Sequence, residues 1–222
     1  MQTLSIDIET ASSIDLSKAG VYRYTESPDF TVLLFGYSID HKPVQVVDLA
    51  SGEELPTEVL AALVDPAVTK TAFNASFERV CLSAWLRIHR PHLLGDAAFL
   101  NAAQWRCTMV WAAYLGLPMS LDAVAQVLSL PVQKDGAGRK LIRQFCVPAG
   151  GDLFNPGGLF NPPSSDPESW QQFIEYNRRD VEVELAIQDR LSSFPMPEAE
   201  WATYVLDQRI NNVGIHLDLP FV

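Results

Sequence analysis

Apolar and polar residues alternate over positions 2–9, where Leu4, Ile6 and Ile8 interleave with Ser5, Asp7 and Glu9. A period of two predicts a strand with one apolar face. The stretches LLFGYSI (Leu33–Ile39) and PVQVVDL (Val44–Leu49) predict two further strands, parted by the turn-like DHKP. Short connections between the three predict an antiparallel meander. PTEVLAALV then predicts a helix, with Thr57 after Pro56 as its cap, and a short apolar strand follows around Val68–Phe73. From Asn74 to about Ile88 the spacing turns helical, with Phe77, Cys81, Leu82, Trp85 and Ile88 on one face. Strands giving way to helices predict a mixed α/β layer structure.

Between Thr108 and Phe145 the pattern is helical in three pieces: MVWAAYLGL, SLDAVAQVLSL with Ser120 as its cap, and GRKLIRQF. Residues 147–167 are rich in Pro and Gly and predict a long loop, which in a compact domain is functional or mobile. Asp166 and Pro167 suit the N-cap and first position of a long helix running to about Leu191. SSFPMP (Ser192–Pro197) breaks the helical pattern as a linker, and EAEWATYVLDQRI predicts a last helix. The tail NNVGIHLDLPFV alternates like a strand and is expected to lead into a larger protein. There is no internal repeat.

Composition narrows the classes. Three cysteines (Cys81, Cys107, Cys146) without CxxC spacing fit buried, reduced thiols better than a disulfide framework. The opening MQTLSIDIE has no signal-peptide pattern, and no apolar run nears the ~20 residues of a membrane span, so a cytoplasmic protein without a membrane partner is expected. A formal net charge of −11 opposes a nucleic-acid partner at first sight. The charge is uneven, however: KDGAGRKLIR holds Lys134, Arg139, Lys140 and Arg143 against Asp135, and a carboxylate cluster can be neutralised by metal.

Acids stand in three unusual places. Asp7 and Glu9 share one face of the first strand, ~7 Å apart at Cα. Two charges about 6 Å apart repel by roughly 3 kcal/mol at an effective dielectric near 20. In NASFERV, Asn74 is positioned to cap a helix that carries Glu78 in its first turn. In IEYNRRDVEVE, Tyr176 and Asp180 lie four apart on the long helix and share a face, which Glu184 continues. Each alone is compatible with a wet strand face, a capped helix or a solvated helix. Asp96, in the loop-like LLGDAAF, is a weaker acid candidate with no motif around it. None of the four histidines (His41, His89, His92, His216) falls in the late helix. Leu33, Phe35, Trp105, Trp111 and Trp170 are read as core or core rim.

Together the order DIET, N-x-x-x-E on a helix start and Y-x-x-x-D on a late helix resembles the Exo I, Exo II and Exo III motifs of the DEDD 3′–5′ exonucleases. Tyr rather than His before the last Asp resembles the DEDDy branch, which includes the proofreading domains of family A DNA polymerases. WRCTMVWAAYLGLPMSLDAVAQVL and KDGAGRKLIRQFCVP look like the middle of phage-type and prophage-type members. One position departs from the pattern: Glu78 stands where Asp is usual, its carboxylate one C–C bond (~1.5 Å) further out.

The resemblance implies a ribonuclease H-like α/β exonuclease fold, a mixed five-stranded sheet with three antiparallel strands first, flanked by helices. It implies an exonuclease domain over residues 1–192, with 193–222 a linker, a helix and the start of a downstream DNA polymerase region. It further implies two divalent ions, Mg2+ or Mn2+, with Asp7 bridging, Glu9 and Asp180 completing the first site, and Glu78 holding the second through water. Tyr176 would orient the attacking water, and Asn74 would touch the terminal nucleotide. Lys134, Arg139, Lys140 and Arg143 would follow the phosphates of single-stranded DNA or a frayed primer 3′ end. The expected product is a 5′-mononucleotide, and the expected setting is the cytoplasm of a bacterium or phage-infected host. The alternatives are an exoribonuclease acting on short RNA and a catalytically silent module that binds primer ends or braces a polymerase.

Overall fold

A computed structural model describes residues 1–131, 138–150 and 158–217. The elements run β1 (Thr3–Ala11), α1 (Leu16–Thr25), β2 (Thr31–Ile39), β3 (Gln45–Asp48), α2 (Thr57–Val64), β4 (Thr69–Ala72), α3 (Ala75–His89) and α4 (Pro91–Leu94). They continue with β5 (Trp105–Cys107), α5 (Thr108–Tyr114), α6 (Leu121–Val127), α7 (Gly138–Phe145), α8 (Pro167–Leu191) and α9 (Glu198–Val213). The strands form one five-stranded sheet in the order β3-β2-β1-β4-β5. β1 pairs antiparallel with β2, and β2 with β3, whereas β4 joins β1, and β5 joins β4, in parallel. The mixed sheet with its antiparallel trio is the expected architecture.

The first strand is therefore central, and both of its faces are covered. Leu4, Ile6 and Ile8 enter the main core with Phe35, Leu63, Leu82 and Trp105. Ser5 and Glu9, on the opposite face, are buried as well. The β1–β2 register shifts between Glu9 and Thr10, passing over Leu33 of β2. Such a bulge bends the strand just where its acidic pair ends.

Opposite Asp7 in the β1–β2 ladder stands Gly36. A Cβ there would fall 2.5 Å from Asn177 Oδ1 and 3.0 Å from Val181 Cγ2. The missing side chain is what lets α8 lie close across the sheet. α8 starts as expected, with Asp166 accepting from Ser169 N at 3.1 Å and Pro167 in its first turn. Its buried stripe runs through Trp170, Phe173, Asn177, Asp180, Glu184 and Ile187 and joins two smaller cores. One holds Leu121, Val124 and Val183. The other stacks Phe173 on Phe145 of α7 and on Tyr176.

Several expectations are corrected. The connection between β1 and β2 is not a short turn but carries α1, which is mostly exposed and broken by Gly20 at φ 74°, so it leaves no amphipathic stripe to read. β5, three residues long, offered too little pattern. Ile88 is 65% exposed, while its neighbour Leu86 is fully buried. α3 is covered by the sheet and by α1 and α9, so its buried arc is wider than one stripe, and Ile88 emerges in the last turn. Neither Asn74 nor Ser120 caps its helix with its side chain, and Pro56 rather than Thr57 occupies the N-cap of α2. Of the long loop, residues 151–157 lie outside the described residues. All three cysteines are free and buried, Phe35, Trp105 and Trp170 are core residues, and Leu33 and Trp111 are partly buried against it. Among the described residues no helix is long and apolar enough to cross a membrane.

The helix expected within residues 193–222, between a linker and the start of a further region, is α9, and it packs into the main core. Trp201 and Tyr204 are buried in that core. Arg79 of α3, fully buried, donates to Gln208 Oε1 at 3.0 Å and Asn212 Oδ1 at 2.9 Å of α9, and to Leu100 O at 3.3 Å. A chain ending at residue 192 loses both aromatic side chains and strands this guanidinium without partners on α9. We expect it to be less stable than the 222-residue chain by at least about 3 kcal/mol, seen as a lower urea midpoint.

Candidate active site

The C-terminal half of β1 opens onto a cavity of about 800 Å3, within the range of small-molecule sites. Its wall contains Asp7 and Glu9 from β1, Asn74 and Glu78 from the start of α3, and Tyr176 and Asp180 from α8. Residues far apart in the chain, such as Asp7 and Asp180, thus meet because three elements end or cross at one point. β1 delivers its acidic face, β4 delivers the first turn of α3 beside it, and α8 passes over both. The apolar part of the wall includes Ile8, Ile14, Phe77 and Ile142.

Most of this acid is out of water. Glu9, Glu78 and Asp180 are buried and Asp7 is half-buried. Burial, reinforced first by the charge of Asp7 and then by Glu184 and Glu9, holds the Glu78 carboxyl well above the usual carboxylate range. Among the described residues its Oε2 has no hydrogen-bond partner. Tyr176 is held above the usual phenol range by burial and by the charges of Asp180, Glu9 and Asp7, so it is a neutral O–H donor near neutral pH. Its ring is stacked on Phe173 with centroids 6.1 Å apart. From the other side it is abutted by Gly138 of α7, where a Cβ would lie 2.1 Å from Tyr176 Cε2.

Among the described residues the charged side chains in this wall are carboxylates, hard oxygen donors suited to Mg2+ or Mn2+ rather than to softer metals. An excess of acid around a buried Glu78 oxygen that has no hydrogen-bond partner among the described residues has the chemistry of a cation site. Among the described residues, though, no three acid, His or Cys side chains already form a ready cage around one point.

Other residues singled out by sequence fall elsewhere. Arg139, Lys140 and Arg143 are exposed on α7 and form no part of the wall, to which that segment contributes Ile142 and Cys146. Lys134 lies outside the described residues. Asp96 is exposed and away from the cavity, and His41, also exposed, faces Asp189 at 3.3 Å.

Three residues gained importance only from the structure. Gly138 seats Tyr176, and Gly36 admits α8. Glu184, noted in sequence only as continuing the helix stripe, is 2% exposed and accepts from Thr108 Oγ1 and Gln188 Nε2, both at 2.8 Å. Gln188 also reaches Thr71 Oγ1 at 3.0 Å, which donates to Ser5 Oγ of β1 at 2.8 Å. This buried polar chain ties α8 to the central strands two residues before Asp7.

The chain matches no protein-family model. It aligns over all 222 residues, at 50% identity, with the DNA polymerase of Bacillus phage SP02. It spans about a third (33%) of the length of that curated relative. Among solved structures, Brucella melitensis NrnC superposes with a TM-score of 0.52 at 11% identity, covering 96% of this chain and 87% of NrnC. The same figures hold for NrnC with bound Mg2+. The shared architecture is a ribonuclease H-like α/β fold, as the sequence motifs implied.

Glu184 gives this site a pH signature in stability. Burial pushes its carboxyl up to about 7 from an ordinary 4.5, the bonds from Thr108 and Gln188 offsetting only part of the cost. The folded chain therefore holds this proton more tightly than the unfolded chain. The resulting stabilisation is complete below about pH 4.5 and is lost as pH rises through 7, on the order of 3 kcal/mol in all. Glu184→Gln removes the titration. In EDTA it should be more stable than wild type by about 1–3 kcal/mol at pH 8, with the difference vanishing near pH 4.5 in urea unfolding.

Proposed function

We propose that this chain is a 3′–5′ exonuclease domain of the DEDDy type that hydrolyses DNA 3′ ends to 5′-mononucleotides and proofreads for a family A DNA polymerase of which it forms part. The observation that carries this reading is the convergence of Asp7, Glu9, Glu78, Tyr176 and Asp180 on one cavity. Those positions come from three separate motifs, and no packing requirement explains an acidic excess at the centre of a sheet. Two comparisons support it: the aligned phage protein is named a DNA polymerase, and a protein of the same fold has been solved with Mg2+. The same phage relative supports a role in the cytoplasm of an infected host.

In this reading Asp7, Glu9, Glu78 and Asp180 hold two divalent cations. The cations, when bound, would acidify a water and offset the charge of the scissile phosphate. The backbones of the four already ring one cavity. Glu78, longer by a methylene than Asp, reaches from the first turn of α3 without displacing the helix. Tyr176 is a donor and not a base: its phenol stays protonated, so it orients the attacking water through its O–H. The seat between Phe173 and Gly138 fixes where that hydroxyl points. The apolar wall of Ile8, Ile14 and Phe77 takes the terminal base without reading its identity, as an enzyme that removes any mismatched nucleotide requires. Arg139, Lys140 and Arg143, on the outer face of the helix that flanks the cavity, follow the phosphates leading in.

The test is digestion of 3′-labelled single-stranded DNA with and without Mg2+ or Mn2+. Wild type should release 3′ nucleotides only with metal, and Asp7→Ala should lose about 10²–10³-fold or more of that rate. Loss of label without metal, or at equal rate in the variant, would refute the assignment, and faster trimming of RNA than of DNA would turn it into an exoribonuclease. Gly138→Ala, which drives a methyl into the Tyr176 ring, should cut the rate about 10-fold or more while leaving metal affinity within about twofold of wild type.

A further inference from the structure

We infer that Asn177 is a positioning residue for Asp7, fixing its carboxylate for cation binding. This rests on the reading of the cavity as a divalent-cation site. Asn177 is fully buried on α8, next to Tyr176 and one turn before Val181. Its Nδ2 donates to Asp7 Oδ2 at 2.6 Å and to the backbone O of the same residue at 3.1 Å. One amide thus spans the main chain and side chain of Asp7 and locks the torsions between them. Among the described residues its own Oδ1 has no hydrogen-bond partner. A buried, unsatisfied carbonyl costs about 1–3 kcal/mol, so stability alone would favour an apolar side chain of the same size.

The second observation is on the facing strand. Gly36 pairs with Asp7 in the β1–β2 ladder, and a Cβ there would stand 2.5 Å from Asn177 Oδ1. A glycine inside a central strand is itself destabilising. Two positions on different elements therefore give up stability to seat one amide against one carboxylate. The carboxylate they hold is the half-buried one in the cavity wall. Partners that orient metal-binding carboxylates typically contribute about 10–100-fold to metal affinity.

The experiment is calorimetric titration of Mn2+ into the wild-type chain, Asn177→Leu, Gly36→Ala and Asp7→Ala, with thermal unfolding of each in EDTA. Asn177→Leu should melt no lower than wild type yet bind Mn2+ about 10–100-fold more weakly, and Gly36→Ala should shift affinity the same way. Wild-type Mn2+ affinity in Asn177→Leu, with or without a lower melting temperature, overturns the inference and leaves the amide a structural group. Should wild type bind no Mn2+, or Asp7→Ala bind it as well as wild type, the cation-site reading itself fails and the inference with it. A measurement on the wild-type chain covers the case of a variant that does not fold: the Asn177 side-chain amide resonance should move when Mg2+ is added. A resonance that stays put while Mg2+ binds overturns the inference.

Discussion

The structure turns on the close approach of α8 to the middle of the sheet. A 25-residue helix, some 37 Å long, meets β1 and β2 where Gly36 leaves room for it. Everything of chemical interest on α8 depends on that contact. Tyr176 and Asp180 reach the Asp7/Glu9 face only because the helix backbone is near enough for short side chains to span the gap. The same approach buries Asn177, Glu184 and Gln188, which must then find partners on Asp7, Thr108 and Thr71. A bulkier residue at position 36 would lift the helix and loosen the polar chain and the cavity together.

Electrostatics then opposes packing. The fold presses several carboxylates toward one another in a region where water is scarce, and among the described residues no Lys or Arg lines the cavity. The strain is visible in Glu78 and Glu184, both displaced upward in pKa by burial first and by neighbours or in spite of bonds second. Protonation is one way to relieve such crowding, and a divalent cation is the other. Among the described residues the two fully buried cations are committed elsewhere. Arg79 faces α9, and Lys70 is held by Asp65 O, Val68 O and Gln104.

What could be read from sequence follows from the same physics. β1, β2, β3, β4 and α8 were legible because their apolar periodicity is imposed by a sheet with covered faces and a helix with one long stripe. The acids were legible because charged residues at positions that should be buried are rare. α1 escaped because it buries little beyond Tyr24 and is broken at Gly20. β5 escaped because three residues carry no period. Gly36, Gly138 and Asn177 were invisible for a different reason: their role lies in a neighbour distant in sequence, and nothing local distinguishes a glycine that admits a helix from one that merely turns a strand. The basic run was legible as charge but not as position, since only the fold shows that Arg139, Lys140 and Arg143 are exposed beside the cavity wall while Ile142 lines it.

The placement of α9 follows from a single turn of α3. Glu78 and Arg79 are consecutive, so their side chains leave the helix about 100° apart. One enters the acidic cavity and the other passes out to Gln208 and Asn212. Both are buried, and their shared turn is held between the end of β4 and α9. A shift of α9 therefore acts on the turn that carries Glu78, through a guanidinium whose hydrogen-bond acceptors among the described residues are all neutral. Neutral acceptors hold a buried cation less tightly than a carboxylate would, so this joint is softer than an ion pair in its place. It is also where α9, the last described helix, bears on the chemistry of the sheet's centre.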